Sequence, residues 1–257
     1  LTSAKPNLTW LMHNAIGMDV FISDDSRKTA ALALQGPNSR KILNTISTYS
    51  LDGLKFFRLM ETKLKGLSVT ISRTGYTGDL GYEIYVDRDD QVALYQELMS
   101  AGEVFGLKPF GMRAMMSLRL EKSFGAWMRE FKPDYTPLET GLDRFVSYNK
   151  STDFIGKAAA VKEKKEGASR KLCTFEVDAA DADVHGDEPI WVNEEVVGFV
   201  TSGGYAHYSA RSVAIGFLPV DLITQDREVE IEILGERRRA RMITKPLFDP
   251  EAERLRA

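Results

Sequence analysis

The sequence predicts an α+β protein, a mixed helix-and-strand body followed by a small β region. Three observations carry this. Helical and strand-like patterns alternate as far as Ala160. A polar, charged run, VKEKKEGASR at 161–170, then interrupts them and reads as a solvated helix end or linker that marks the domain boundary. Beyond it, short strand candidates follow one another without intervening helices, as in an antiparallel barrel or sandwich. The expected division is therefore a body over 1–165 and a β domain over 171–257.

Taken in order, Asn7–Asn14 is helical, with Trp10 and Leu11 facing inward. Val20–Ser23 is a strand that ends in a turn at Asp24 and Asp25. Ala30–Leu34 is a short apolar strand. After Pro37, Ile42, Leu43 and Ile46 recur at helical spacing. Asp89 or Asp90 caps a helix whose apolar face is Val92, Tyr95, Leu98 and Met99, and Gly106 lies past its end. Pro109–Lys122 is a second helix, with Met112, Met115, Met116 and Leu120 buried and Arg113 and Arg119 off that stripe, as surface cations would be. Pro133–Leu142 is loop, Arg144–Asn149 a strand, and a short helix starts near Asp153. The later strands are Lys171–Val177, Pro189–Trp191, Val196–Ser202, Ser212–Leu218, Glu228–Leu234 and Arg238–Thr244, with tight turns at Asn193-Glu194 and Gly235-Glu236. Glu228, Glu230 and Glu232 can pair across strands with Arg237, Arg238, Arg239 and Arg241, which accounts for that arginine cluster without an anionic ligand.

The stretch from Val69 to Val86, VTISRTGYTGDLGYEIYV, holds the most chemistry. Two strand-forming runs flank a loop in which Gly75, Gly78 and Gly81 allow positive φ, so it reads as a hairpin with a long, shaped loop. A dinucleotide loop would need a helix after its glycines, and here a strand follows. Glu83 stands opposite in phase to Tyr82 and Ile84, either on a solvated face or lining a pocket.

Composition excludes several classes. A net charge of −3 gives no nucleic-acid footprint, and no apolar run approaches the roughly 20 residues of a membrane span. No signal peptide is visible. The single cysteine, Cys173, sits in a strand pattern as a small buried hydrophobe, and His13, His185 and His207 have no zinc spacing. A reducing compartment, cytoplasm or mitochondrial matrix, fits these facts.

RTGYTGDLGYEIYV at 73–86 resembles the signature of the glycine-cleavage T-protein (aminomethyltransferase) family. Gly111–Ala159, VTSGGYAHYSARSVAIGFLP at 200–219 and PLFDPEAERLR at 246–256 resemble the folate-binding part of dimethylglycine and sarcosine dehydrogenases. The resemblance implies two interleaved α/β lobes around a central channel, followed by a small C-terminal antiparallel β-barrel. It implies tetrahydrofolate as the acceptor of a methylene or methyl unit from a methylated amine, and a flavin domain or subunit, carrying FAD, elsewhere. Tyr76 and Glu83 match the family's folate-contacting Tyr and Glu, and Arg119 falls on the arginine of the SLRLE segment. A reduced pterin offers two adjacent donors, a ring N–H and an exocyclic amine, which the Glu83 carboxylate could accept in parallel. Its flat ring needs a wall, which Tyr76, with Phe56 or Phe57, could supply. The tail-binding arginine of the family falls on Met115, so Arg113 is expected to stand in for it. The family's catalytic Asp belongs to an N-terminal segment outside this sequence, so the chain reads as a fragment with an unpaired strand edge or open apolar cleft. The cysteine-bearing loop of iron–sulfur-assembly relatives is lacking, which favours the transferase branch. Two other functions remain open: a tetrahydrofolate-dependent demethylase of a sulfonium or methoxy donor, and a non-catalytic folate-binding module.

Overall fold

The computed structural model describes residues 5–224 and 227–257. The chain forms two compact units: residues up to Gly75 with Leu80–Lys108, and Tyr76–Asp79 with Pro109–Ala257. The packing thus divides at Lys108, well before the charged run.

The first unit runs α1 (Lys5–Asn14), β1 (Thr29–Gln35), α2 (Ser39–Ile46), β2 (Leu59–Leu64), β3 (Leu67–Ser72), β4 (Gly81–Asp87) and α3 (Gln91–Gly102). Its four strands form an antiparallel sheet in the order β1-β4-β3-β2. One face is apolar at every second residue. Leu34, Leu64, Ile71, Tyr82 and Ile84 pack there against Leu43 of α2 and Leu94 and Leu98 of α3. The opposite face carries Ala31, Ala33, Thr70, Ser72, Glu83 and Tyr85, half-buried or exposed. The hairpin is as expected, with Val69 opposite Val86 and Ser72 opposite Glu83.

Several local expectations fail. Trp10 and Leu11 face solvent on α1 rather than a core. Val20–Ser23 has no strand partner among the described residues, and a lone extended segment leaves its backbone groups to water. Asp90 does stand at the N-cap of α3 but its side chain makes no capping bond, and the bond made is that of Asp87, which accepts from Asp89 N and caps the 3-10 turn Arg88–Asp90. The buried side of α3 is Leu94 and Leu98, with Val92 and Tyr95 outward. Gly106 does end this region, in the left-handed conformation that suits it.

The second unit contains α4 (Met112–Glu121), α5 (Lys157–Glu166), β5 (Arg170–Val177), β6 (Pro189–Val192), β7 (Glu195–Ala206), β8 (Arg211–Pro219), β9 (Glu228–Ile233), β10 (Glu236–Ile243) and the short α6 (Glu253–Arg256). Strands β5–β10 close into an antiparallel barrel, β10-β5-β8-β7-β6-β9, which leaves no free edge. Phe175, Ile190, Val200, Ala214, Leu218 and Ile231 are among its core. Strand β8 is buried from Ser212 to Leu218, on both faces. Each expected strand of this region is present, and the last turn falls one residue earlier, at Leu234-Gly235, where both φ angles are positive. Met112 is exposed and Met115 and Met116 are half-buried, so of the expected stripe of α4 Leu120 is the residue that is fully buried. Arg144–Asn149 is not a strand: a 3-10 turn occupies Asp143–Phe145, and Tyr148 and Lys150 bond back to Val146 and Ser147. The charged run is the solvated end of a helix, because Val161–Glu166 complete α5, and a short connection then leads to β5 at Arg170.

Candidate functional site

Each unit holds part of the candidate residue set. Glu83, Phe56 and Phe57 belong to the first, and Tyr76, Arg113 and Arg119 to the second.

Glu83 occupies the non-core face of β4, between Ala33 on β1 and Ser72 on β3. Those neighbours are too small to cover it. Thr74 Oγ1 donates to its Oε2 at 2.5 Å, and Tyr85 Oη does so weakly at 3.5 Å. Ser72 and Thr74 hydroxyls are themselves 2.8 Å apart, which extends the support to β3. Among the described residues, the bonds to this carboxylate fall on Oε2 and none on Oε1. The carboxylate is therefore aimed by one oxygen and left with acceptor capacity on the other. Burial, and then the Glu83 charge, push the Tyr85 hydroxyl above its ordinary range, so it remains a donor at neutral pH.

The glycines that precede Glu83 serve two ends. Only Gly78 has positive φ, at +83°. Gly75 and Gly81 are needed for space, since a Cβ on either would collide with the Gln35 amide, whose Nε2 donates to the Tyr82 carbonyl at 3.2 Å. The expectation of three flexible glycines is thus met at one position. Phe56 and Phe57 are tilted against each other with centroids 4.2 Å apart, and the Arg73 guanidinium lies 6.0 Å from the Phe56 ring and 5.2 Å from the Tyr82 ring. Phe57 is 58% exposed, at φ 60°.

Tyr76 is half-buried. Its hydroxyl donates to the Gly125 carbonyl at 2.6 Å, and its ring stacks on Phe124. Burial raises its pKa, so the hydroxyl stays protonated. Arg119 is no surface cation. It is 2% exposed, donates to the Phe124 carbonyl at 3.0 Å, and lies 3.7 Å from Glu130, which is fully buried. Desolvation lowers the Arg119 pKa, and Glu130 opposes that. Glu130 also accepts from Ala126 N at 2.6 Å and from the Thr201 hydroxyl. Arg119 and Glu130 thereby shape the Phe124–Ala126 turn on which Tyr76 rests. Arg113 is exposed near the start of α4, and among the described residues no ion pair engages it.

The sequence gives no sign of Thr74 or Glu130. Thr74 is one hydroxyl in a polar loop, and Glu130 meets Thr201 across 71 residues. Among the described residues no cluster of His, Cys, Asp or Glu could hold a metal, and no helix is long and apolar enough to cross a membrane.

The family model for the GCVT N-terminal domain matches residues 2–150, and that for the glycine cleavage T-protein C-terminal barrel domain matches 170–249. The chain belongs to the glycine-cleavage T-protein family. It is 40% identical over 254 residues to human mitochondrial dimethylglycine dehydrogenase, covering 97% of the chain and 29% of that protein. It is 36% identical over 245 residues to an aminomethyltransferase of Geobacillus sp. (strain WCH70), covering 95% of the chain and 67% of the relative. The chain thus spans under a third of the first relative and about two thirds of the second. Among solved structures, the T-protein aminomethyltransferase of Bartonella henselae superposes with a TM-score of 0.84 at 26% identity, covering 96% of the chain and 66% of that protein. Mixed helix and sheet with a C-terminal closed barrel is therefore a T-protein fold.

Proposed function

We propose that this chain is the folate-binding part of a tetrahydrofolate-dependent one-carbon transferase. The donor is a methylated amine such as dimethylglycine, sarcosine or an aminomethyl group. Residues 1–165 are assigned to binding and transfer and 171–257 to the supporting barrel. The observation that carries this reading is the Glu83 carboxylate, held at Oε2 and unengaged at Oε1 beside a floor of Ala33 and Ser72. Names of relatives, dimethylglycine dehydrogenase and aminomethyltransferase, support the one-carbon chemistry.

The residues of each unit suit part of a folate. In the first, Glu83 would accept the paired donors of a pterin and the exposed Phe57 offers aromatic surface. In the second, Tyr76 offers an aromatic ring and Arg113 an exposed cation of the kind a carboxylate tail needs. Arg119 and Glu130 position the Tyr76 support rather than touch ligand. Tetrahydrofolate, when bound, supplies the nitrogen that takes up the one-carbon unit. The protein's own contribution is positioning and electrostatics. A flavin-bearing dehydrogenase domain or subunit as source of the activated donor, and a soluble cytoplasmic or mitochondrial-matrix setting, belong to the same reading.

The test is tetrahydrofolate titration by calorimetry. Glu83→Gln sets an amide donor against a ligand donor and should cost about 1.5–3 kcal/mol, roughly 10- to 150-fold in affinity. Unchanged affinity would remove Glu83 from the site. Turnover with dimethylglycine and sarcosine against a sulfonium donor then identifies the donor class.

A further inference from the structure

Tyr76 is three residues from Asp79, and Asp79 is tied to the far end of the chain: Arg254 Nη2 donates to its Oδ2 at 2.7 Å. Between them Gly78 lies over the stem of Lys122, whose Cβ, Cγ and Cδ would stand 3.0–3.1 Å from any Cβ at that position. The Lys122 ammonium is buried against Asp249, with Nζ 2.9 Å from Oδ2, and both side chains are at most 5% exposed. It donates further to the carbonyls of Phe248 and Asp249.

The same Asp249 carboxylate accepts Arg254 N at 3.1 Å and Leu255 N at 3.2 Å, so it starts the short helix that presents Arg254. That turn passes through left-handed conformations at Asp249 (φ 46°) and Ala252 (φ 58°), which non-glycine residues adopt only when other bonds impose them. Phe248 N donates to the Glu121 carbonyl at 2.9 Å, and the Glu121 side chain binds Tyr208 N and both the amide and hydroxyl of Ser209. A buried ion pair, a forced turn and a salt bridge thus lead in series from the end of α4 to the glycine loop.

We infer that Pro246–Arg256 is a strap that sets the conformation of Tyr76–Asp79, with Arg254 a positioning residue acting on Tyr76 through Asp79. The consequence for ligand affinity rests on the tetrahydrofolate reading above. The strap itself does not. The Arg254 and Asp79 side chains are 43% and 15% exposed, and such a pair adds little to global stability. Its effect is local. A loop with glycines at 75, 78 and 81 has much freedom to lose, and a loop ordered in advance binds more tightly.

The experiment compares the parent with Arg254→Ala, Arg254→Lys, Asp79→Asn and the double variant Arg254→Ala/Asp79→Asn. Amide exchange of peptides covering 76–81 should rise about tenfold in Arg254→Ala, with the melting temperature within about 2 °C of the parent. Tetrahydrofolate should bind roughly three- to tenfold more weakly, and Arg254→Lys should recover most of both effects. In the double variant the loss should not exceed that of either single change. Unchanged exchange in the 76–81 peptides, or fully additive losses in the double variant, would overturn the strap. If the parent itself binds no tetrahydrofolate, the functional reading falls, and the exchange data still decide the strap.

Discussion

Glu83 and Glu130 are carboxylates withdrawn from solvent in two different regions, and the protein uses them in opposite ways. Glu130 sits against the barrel with both oxygens engaged, by Ala126 N, Arg119 and the Thr201 hydroxyl. Glu83 sits on the non-core face of the first unit's sheet, half-buried, with one oxygen engaged among the described residues. A fully satisfied buried acid fixes a structure, and a half-satisfied one beside small neighbours is set to receive a ligand. The architectures favour this split. A closed barrel uses its inner face for core, whereas a sheet covered on one side has a second face to offer.

The comparison can be broken most sharply at Glu130. Glu130→Ala leaves the Arg119 guanidinium buried without its counter-ion and should cost about 3–5 kcal/mol, which urea denaturation would register as a much lower midpoint. A loss below about 1 kcal/mol would erase the distinction between the two acids. Next comes Thr74→Val, which removes the hydroxyl that aims Glu83. Tetrahydrofolate affinity should fall by about 0.5–1.5 kcal/mol, with the urea midpoint nearly unchanged. A variant that unfolds more easily but binds as before would make the Thr74 bond structural.

The acid limb of stability sharpens the picture. Burial pushes the Asp249 carboxyl up, but the bond from Lys122 and the amides of Arg254 and Leu255 together hold it below its ordinary value of 3.8. A carboxyl depressed in the folded state adds stability above its unfolded pKa. That contribution is lost as pH falls through the folded value. Stability measured from pH 6 downward should therefore decline below about pH 4, and the decline should be shallower in Asp249→Asn. The smallest effect belongs to the barrel surface. Arg241, 3.3 Å from Glu176 and largely exposed, should be replaceable by Ala within about 0.5 kcal/mol.

The legible parts of this protein are those specified by neighbours in sequence. Short strand-forming runs between turns marked the barrel strands, and the phase of Glu83 against Tyr82 and Ile84 set it opposite to the core residues of β4. Where a pattern needed a partner it lacked, reading failed. Val20 and Phe21 look like a strand, yet none of the described residues pairs with them. Arg119 looked exposed because its partner Glu130 lies on a loop with no periodicity, and Thr201, which completes the cluster, is in the barrel. Tertiary ion pairs leave no local trace. Of the glycine loop the sequence disclosed the shape but not the cause: Gly75 and Gly81 answer to Gln35, forty residues and more away.

The closure of the barrel has a consequence for how the chain is made. Strand β5 pairs with β8 on one side and with β10 on the other, so its second edge stays open until β10 is synthesised. That interval is about 60 residues, on the order of 3–12 s at a ribosome adding about 5–20 residues per second. Throughout it, an edge containing Cys173 and Phe175, both buried once the barrel is closed, is available to any other nascent strand. A protein whose charged surface pairs contribute little to stability thus meets its greatest hazard before those pairs exist, on the polysome, where slower decoding between β8 and β10 would prolong the exposure.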